Sequence, residues 1–563
     1  MHLRTDTQRN SHFARVPTIS HGRNRFSIAE KHATTIQFDY LYPIYHKYIY
    51  PGDTLSITEG VLARLNTQVA PLYDDLYFDL HAWYVPMRLL QTNWARFQFN
   101  AQPTGPTQDN SALTTPKITT TSLTTGFVAK SLYDYFGFPT ETATLAADTE
   151  HINNYLARAY NLIWNENYRD QNLQNAVTVD LDDGPDDPAN YVLLKRGKRH
   201  DKFTSCLTAA QKGTPVSLPL GTSATVLGTA PVTGWGVTGT GGSWASVSTY
   251  RTTSADNDWT GTGSNTGTMA DAAAGGSVGL KTIGTGASRR PDVSADAGAT
   301  GATMYADLST AVGATLNQVR LSYAIQHLLE ADARGGTRDV EAIQHRWGVT
   351  VPDFRLQRPE YLGGQTFTFD GHIVPQTSET GTTPQGNLTQ FSQALTHFGI
   401  NHSFQEHGVF MILISARSNI TYQQGLQREL SYRTRYDFYQ PEFANLGEVA
   451  VLNKEIYFQG GAAAADQDTF GFQEYAYELR YSENRVTGEM RSNYATSRDY
   501  GNMADDYASL PTLGSAWIQS NTAISRNIAV SASVADPIEL NCFAKGGIAR
   551  TLPMYSIPGL MRL

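Results

Sequence analysis

The sequence has little cysteine, no excess of positive charge and no long apolar run. Its two cysteines, Cys206 and Cys542, are too few for a disulfide framework or a zinc knuckle, and they fit a reducing compartment. The longest strongly apolar run covers only residues 409–414, so the sequence predicts no membrane insertion. Residues 1–17 contain no apolar stretch either, which predicts that the chain has no signal peptide.

The charge balance limits what the chain can bind unaided. It has 43 Lys and Arg residues against 52 Asp and Glu residues, which gives a net charge of −9. A nucleic acid carries dense negative charge, and an acidic chain cannot neutralise that charge alone. If this protein encloses a nucleic acid, a separate basic partner or bound cations must contribute the positive charge.

The sequence also lacks the motifs of the common enzyme classes. It contains no phosphate-binding loop, no H-E-x-x-H zinc motif and no G-x-S-x-G nucleophile turn. Residues 234–239 match the dinucleotide pattern G-x-G-x-x-G, but no apolar strand precedes them, so the match is attributed to chance. The acidic turn 180–187 offers oxygen ligands without the spacing of a known calcium loop, which favours a solvated turn. The sequence thus predicts that the protein is not an enzyme and has no cofactor. Whether it binds a divalent cation such as calcium stays open.

Aromatic residues, in contrast, are abundant. The 30 Tyr and 23 Phe residues are of the kind that suits strands and interfaces. Residues 76–85 alternate with a period of two and carry large side chains on both faces, which predicts a strand covered by a second layer. Pro86 should end this strand, and the near-helical spacing beyond it predicts a short helix reaching residue 97.

The same periodicities predict the remaining elements. Further strands are expected over residues 34–41, 55–65, 366–374, 409–414, 449–458, 475–481 and 528–534. Helices are expected over residues 152–163, 315–336, 339–347 and 388–398. Because the helices fall between strands at uneven intervals, the pattern favours an antiparallel β-core decorated by insertions over a parallel α/β sheet.

The N-terminal arm, taken as residues 1–33, is basic near its start and rich in Ser, Thr and Asn. Two interpretations stay open: a solvated arm, or an arm that lies on phosphates or on a neighbouring subunit. Under the second interpretation, Arg15, Arg23 and Arg25 are the candidate nucleic-acid contacts.

Residues 221–303 form a second distinct segment, which separates the core into residues 34–220 and 304–563. Within residues 221–300, 16 are Gly and 25 are Ser or Thr, so about half of the segment is small or polar. Trp235, Trp244 and Trp259 argue against a plain linker, since disordered tracts contain few aromatic residues. We therefore expect a surface excursion that folds on itself or against other copies of the chain.

A family resemblance is carried by blocks of sequence that follow one another along nearly the whole chain. The blocks are PIYHKYIYPGDT (43–54), residues 63–97, YNLIWNENYRDQNLQ (160–174), and residues 328–364, 420–457 and 471–492. In this order they resemble the major capsid protein of the Microviridae, small icosahedral single-stranded-DNA bacteriophages, and most nearly its gokushovirus branch. Ordered similarity over several blocks is far more specific than any short motif.

The resemblance implies a mainly β fold, an eight-stranded antiparallel jelly roll with long inserted loops and short helices. It implies a structural protein of the virion, a homo-oligomer of sixty copies in a T=1 shell around a circular single-stranded DNA genome. The implied partners are a small basic DNA-packaging protein, a pilot protein and a scaffolding protein, with assembly in the host bacterial cytoplasm. The segment 221–303 falls where such proteins carry a variable insertion at the three-fold axes, so Trp235, Trp244 and Trp259 are candidate contacts with a host-cell surface receptor.

Two functions of other classes were weighed against this one. A carbohydrate-binding or carbohydrate-cleaving jelly roll needs a pair of carboxylates that converge in a cleft, and the sequence shows none. A self-standing receptor-binding spike conflicts with the length of the chain and with its single-core layout.

Overall fold

A computed structural model of the chain describes residues 22–99, 113–119, 126–140, 151–213, 225–228, 237–238, 244–245, 248–251, 278–281, 304–307, 316–334, 357–375, 377–379, 381, 388–460 and 464–555. The chain divides into two compact units. The larger unit combines Met1–Lys212 with Glu330–Leu563, and the smaller unit is Gly213–Leu329.

Most of the regular structure is β. Strands β1 to β17 are, in chain order, Asn24–Ile36, Tyr42–Ile49, Thr54–Leu65, Leu76–Pro86, Thr225–Gly228, Val237–Thr238, Trp244–Ala245, Ser248–Arg251, Val278–Lys281, Met304–Asp307, Glu360–Thr368, Asp370–Pro375, Leu388–Ser403, Gly408–Ser418, Glu448–Leu452, Thr469–Glu474 and Ile538–Arg550. Helices α1 to α6 are Trp94–Phe99, Leu132–Tyr135, Tyr155–Asn167, Leu316–Arg334, Asn453–Ile456 and Ser515–Ile518. Short 3₁₀ helices occupy Met87–Leu89, Pro188–Asn190, Arg428–Ser431, Pro441–Phe443, Ala464–Gln467, Tyr477–Leu479, Gly488–Met490, Asp499–Gly501 and Ile524–Arg526.

Two antiparallel sheets face each other in the larger unit. The five-stranded sheet has the order β1-β17-β3-β13-β12, and the four-stranded sheet has the order β11-β4-β14-β2. Apolar side chains from the facing sides, such as Ile57, Val61, Phe78 and Ile412, form one core between the sheets. This arrangement confirms the prediction of a mainly β, antiparallel jelly roll. The predicted count of eight strands is not confirmed, because nine described strands make up these two sheets.

The four-stranded sheet is covered on its second side as well. Trp83 and Val85 on β4 and Met411 on β14 point away from the first core and join a second apolar cluster. Helix α3 lies in this cluster and contributes Tyr160 and Ile163, both fully buried. This confirms the prediction that β4 carries aromatic residues on both faces because a second layer covers the strand.

The acidic turn 180–187 is only in part the solvated turn that the sequence predicted, since Asp182 is exposed but Asp186 is not. Asp186 is buried and forms an ion pair with Arg158 of α3, also fully buried. Asp183 accepts hydrogen bonds from the side-chain amides of Gln91 and Asn93. The carboxylates thus connect the turn to α3 and to the segment after β4, and these contacts account for their clustering.

The prediction of a helix over residues 388–398 is wrong, since β13 runs through the whole stretch. The apolar spacing looked helical because Ser392 and Thr396 occupy buried positions while Leu395 points outward. Ser392 is accommodated in the core by a hydrogen bond from its hydroxyl to the amide oxygen of Gln68, at 3.0 Å. Because polar residues occupy core positions of this strand, the sequence does not show the alternation of apolar and polar residues that is typical of a strand.

Other predicted bounds also need correction. The first strand covers Asn24–Ile36 rather than residues 34–41, so it begins inside the segment taken as an arm. Residues 366–374 are split at Phe369 between β11 and β12, which belong to different sheets. The strands expected over residues 475–481 and 528–534 are absent from these described positions; β16 ends at Glu474 and β17 begins at Ile538. The helix predicted over residues 339–347 lies outside the described residues.

Candidate interaction surface

The five-stranded sheet has one face on the core and a second face, called here the outer sheet face. On β1, β17, β3 and β13, alternate side chains point away from the core and stand in register across the sheet. Most of these positions hold Ala, Gly, Ser, Thr or Asn, and larger side chains occupy the others. Among the outward positions whose side chains the structure describes, the larger residues are Arg25, Lys31, Leu62, Arg64, Gln393, Leu395, His397, Glu539, Phe543 and Lys545.

One row across the outer sheet face places an aromatic ring among basic groups. Phe543 on β17 lies opposite Lys31 on β1 and opposite Gly60 on β3, and Gly60 lies opposite His397 on β13. Directly opposed residues in antiparallel strands have Cβ atoms about 5 Å apart. Lys545 points to the same side as Phe543, two residues further along β17. Because Phe543 is 45% exposed, its ring is accessible to a partner outside the sheet.

Gly60 opens a shallow depression in this row. A Cβ atom at position 60 would lie 3.1 Å from Nδ1 of His397 and 3.6 Å from the backbone carbonyl oxygen of Phe543, so a larger residue would fill the space. Leu395 and Leu62, at 67% and 41% exposed, add apolar surface beside it. The depression has a volume of about 420 Å³ and is lined by Thr58, Gly60, Leu62, Leu395, His397, Asn541, Phe543 and Lys545. It therefore combines apolar walls with a basic rim.

The two carboxylates of the outer sheet face lie away from this depression. Glu539 on β17 stands in the same row as Arg64. Asp370, on the edge strand β12, belongs to this row too. Arg64 forms an ion pair with Glu539. That row is four residues, or about 13 Å, from the row of the exposed ring. Within the described part of the chain, neither Lys31 nor Lys545 forms an ion pair, so both ammonium groups are available to a partner.

Of the three arginines predicted to contact nucleic acid, the structure describes two, and these two lie near each other. Arg15 lies outside the described residues. Arg23 donates a hydrogen bond to the backbone carbonyl of Ala549, at 3.3 Å, so part of its guanidinium is used within the protein. Arg25 lies opposite Ala549, and its Nε occupies the space over Gly547, where a Cβ atom would approach it to 2.7 Å. Arg23 and Arg25 therefore lie at one end of the outer sheet face.

The tryptophans predicted to contact the host lie in the smaller unit. Trp244 is in β7, which pairs with β6 through Thr238. Trp235 and Trp259 lie outside the described residues. The smaller unit also contains the antiparallel pairs β5–β10 and β8–β9. The role of the three tryptophans stays a prediction.

The most strongly perturbed carboxylate of the four-stranded sheet belongs to a structural network. Asp79 on β4 accepts hydrogen bonds from Arg196 at 2.6 Å, Arg417 at 2.7 Å and the Thr366 hydroxyl at 2.6 Å. Burial opposes ionisation of Asp79, but the two guanidinium groups outweigh it and hold its pKa well below its usual range. Asp79 and its two arginine partners are buried together where the segment 196–199 packs on the sheet. The lowered pKa of Asp79 is therefore explained by this structural ion pairing and does not indicate a catalytic site.

Metal and membrane sites are not found in the described ranges. No group of three or more His, Cys, Asp or Glu side chains there is arranged to hold a metal ion. Across the same ranges, none of the helices combines the length and the apolar character that spanning a membrane requires.

Phe543 and Lys545 were missed by sequence reasoning because β17 was not predicted. The signal is nevertheless present, since residues 538–545 read I-E-L-N-C-F-A-K with apolar residues at every second position. Phe543 falls on the otherwise polar side of that alternation. An aromatic residue followed two positions later by a lysine on the solvent side of one strand is the combination that could have pointed to a nucleic-acid surface.

Comparison with known proteins places the whole chain among one kind of protein. The sequence profile of the family described as capsid protein (F protein) matches residues 14–560. The chain is 39% identical to capsid protein VP1 of Bdellovibrio phage phiMH2K over 94% of both chains. It is 35% identical to capsid protein VP1 of Chlamydia phage 1 over 98% of both chains, and 33% identical to that of Spiroplasma virus 4 over 96% of both.

Proposed function

The chain belongs to the capsid protein (F protein) family, and from this premise we propose that it is the major capsid protein of a small single-stranded-DNA bacteriophage. In this proposal sixty copies assemble into a T=1 icosahedral shell around a circular single-stranded DNA genome. The observation that carries the proposal is the extent of the similarity, which covers almost the whole chain rather than the jelly-roll core alone.

Family membership alone makes the chain a structural component of a virion that assembles into a multi-copy shell. It also confirms the resemblance to Microviridae capsid proteins that the sequence predicted. The relatives are named as capsid proteins, and the proposed function accordingly includes no catalytic step and no cofactor. We place assembly in the cytoplasm of the bacterial host.

The proposed partners rest on the family resemblance, and the charge of the chain supports one of them. With a net charge of −9 the chain needs help to neutralise the genome, which a small basic DNA-packaging protein supplies. A scaffolding protein assists assembly, and a pilot protein is carried in the particle. The glycine-rich insertion, residues 221–303, is proposed as the surface that attaches to a host-cell receptor.

Electron microscopy tests the proposed shell directly. The full-length protein, expressed in bacteria alone and together with the phage's other structural proteins, is expected to form closed particles of uniform size with icosahedral symmetry. Each specific contact between copies should bury at least about 1,000 Å², enough for a stable closed assembly. A protein that elutes only as a monomer or trimer in size-exclusion chromatography, under both conditions, would contradict the proposal.

The arm arginines give a second prediction. Replacing Arg15, Arg23 and Arg25 together by Ala is expected to leave shell formation intact and to reduce the amount of packaged DNA, because phosphates lose cationic contacts. The DNA content of purified particles measures the effect. The exposed ion pair formed by Arg498 provides a control: Arg498→Ala should leave the DNA content unchanged. Particles of the triple variant with normal DNA content would remove these arginines from the DNA-binding surface.

A further inference from the structure

The surroundings of Phe543 have the features of a site for unpaired nucleotides. Proteins bind single-stranded nucleic acids by stacking bases on exposed aromatic rings and by following the phosphates with cations. On the outer sheet face, the 45% exposed ring of Phe543 has Lys31 opposite it on β1 and Lys545 beside it on β17. On the β3 side, Gly60 leaves the flank of the ring open towards the depression.

We propose that Phe543, Lys31, Lys545 and the depression at Gly60 bind unpaired nucleotides of the enclosed single-stranded DNA. The inference rests on the proposed function, because it requires the outer sheet face to be turned towards the genome. The ring of Phe543 stacks on a base, and the two lysines each contact a phosphate. Hydroxyl and amide side chains of the adjoining rows, such as Asn541, add donors that fix the path of the DNA backbone without reading its sequence.

Charge and composition favour DNA over a second copy of this chain as the occupant. Lysine is depleted in protein–protein interfaces relative to the rest of the surface, whereas here two lysines without ion-pair partners in the described residues flank the exposed ring. A DNA strand brings a phosphate with every nucleotide, so it neutralises both lysines at once. The carboxylate of Glu539 is about 13 Å away in the row of Arg64, and that of Asp370 is further away in the same row, so both are too far to repel a phosphate beside the ring.

Single-stranded DNA fits this surface better than a duplex does. The ring stands on the exposed face of the sheet between Lys31 and Gly60, so a base can stack on it only if that base is unpaired and turned outward. The depression is one site of about 420 Å³ rather than a long groove, which fits one or a few bases on each copy of the chain. A shell of many copies then holds the genome by repetition of weak contacts.

Binding of a fluorescent oligothymidylate of about ten nucleotides to the purified, unassembled full-length protein tests the site. Lys31→Gln and Lys545→Gln should each lower the slope of log Kd against log salt concentration by about 0.7, the value for one phosphate on a single strand. Phe543→Leu should weaken binding about tenfold with the slope unchanged, because it removes the stacking ring and no charge. A loss of stability alone would not divide the variants in this way.

Matched variants serve as controls. Phe543→Tyr keeps the ring and Lys545→Arg keeps the charge, so both should bind as the unchanged protein does. Lys212→Gln removes an exposed lysine outside the outer sheet face and should change neither the affinity nor the slope. A duplex of the same length should bind without any dependence on Phe543.

Electron microscopy of the same variants separates this inference from the proposed function. Normal shells with reduced DNA content, together with the expected losses in oligothymidylate binding, support the site. Normal shells from variants that all bind like the unchanged protein would overturn the inference while the proposed capsid function stands. Variants that bind normally but form no shells would identify the outer sheet face as a contact between copies and would equally overturn it. Failure of the unchanged protein to form shells would count against the proposed function instead.

Discussion

Replacing Arg158 by Ala is expected to destabilise the protein by about 3–5 kcal/mol, because Asp186 would be left as a buried charge without its partner. Both side chains are fully buried. The Nε of Arg158 donates to Oδ2 of Asp186 at 2.7 Å, and Nη1 donates to the carbonyl oxygens of Leu90 and Asp182, both at 2.8 Å. One guanidinium thus ties α3, the acidic turn and the segment after β4 together, and Ala can replace none of these bonds.

Urea unfolding followed by tryptophan fluorescence measures this effect, since Trp164 on α3 is buried in the same cluster. Arg498→Ala is the control, because Arg498 is 61% exposed and its ion pair with Glu489 should be worth no more than about 1 kcal/mol. Substituting both members of the buried pair, with Arg158→Met and Asp186→Leu, should recover part of the stability by removing the unpaired charge. If Arg158→Ala and Arg498→Ala shift the unfolding midpoint equally, the buried pair does not hold α3 in place.

The contribution of Glu59 to the stability of the protein is expected to fall as the pH rises from about 5 to 8. Glu59 on β3 faces the core between the two sheets and is 1% exposed. Burial, and secondarily the charge of Glu30, raises its pKa from the ordinary value of 4.5 to about 8. Its Oε2 and the hydroxyl of Tyr45 are buried without hydrogen-bond partners among the described residues. The folded protein therefore favours the protonated, neutral carboxyl group.

The direction of the pH effect follows from proton binding. Below pH 4.5 the group is protonated in both the folded and the unfolded states, so it adds no pH dependence. Between 4.5 and about 8 the unfolded chain has released the proton that Glu59 keeps in the folded protein, so the contribution of Glu59 to the free energy of unfolding decreases with pH, by at most roughly 5 kcal/mol. Above about pH 8 both states are ionised and this contribution is constant.

Glu59→Gln isolates this contribution, because the amide has no charge at any pH. Urea unfolding of both proteins from pH 5 to 9 should show the stability of the variant rising relative to that of the unchanged protein between about pH 5 and 8, because the titration of other groups is common to both. Glu539→Gln is the matched control: that carboxylate is 47% exposed and bound to Arg64, and its removal should leave the pH dependence largely as it was. Parallel pH profiles for the unchanged protein and Glu59→Gln would show that Glu59 does not titrate in this window.

The strands that could be predicted are those in which apolar residues occupy nearly all core positions. In β4 and β14 nearly every inward position is apolar, so the period of two and the continuous apolar run survive in the sequence. Helix α3 was found because its buried face recurs at helical spacing. In β13, two buried polar residues and the outward Leu395 imitated a helix, and a local pattern could not reveal the partners that satisfy those polar groups.

The electrostatic roles were harder to read than the strands. The sequence predicted a solvated acidic turn around Asp186, because the ion-pair partner of this buried carboxylate is Arg158, many positions earlier in the chain. Asp79 shows the same limit, since its partners Arg196 and Arg417 come from distant segments. A carboxylate is solvated or buried according to whether a cation meets it in space, and sequence spacing does not contain that information.

The sequence by itself determined the family, the β-rich antiparallel class of fold and the absence of the common catalytic motifs, because these depend on local periodicity and on ordered similarity along the chain. Tertiary structure alone decided which residues share the outer sheet face. Lys31, Gly60, His397 and Phe543 form one row only because β1, β17, β3 and β13 pair in this order and register. A shift of one residue in any pairing would turn that strand's side chains to the opposite face, so the surface exists only once the whole sheet has formed.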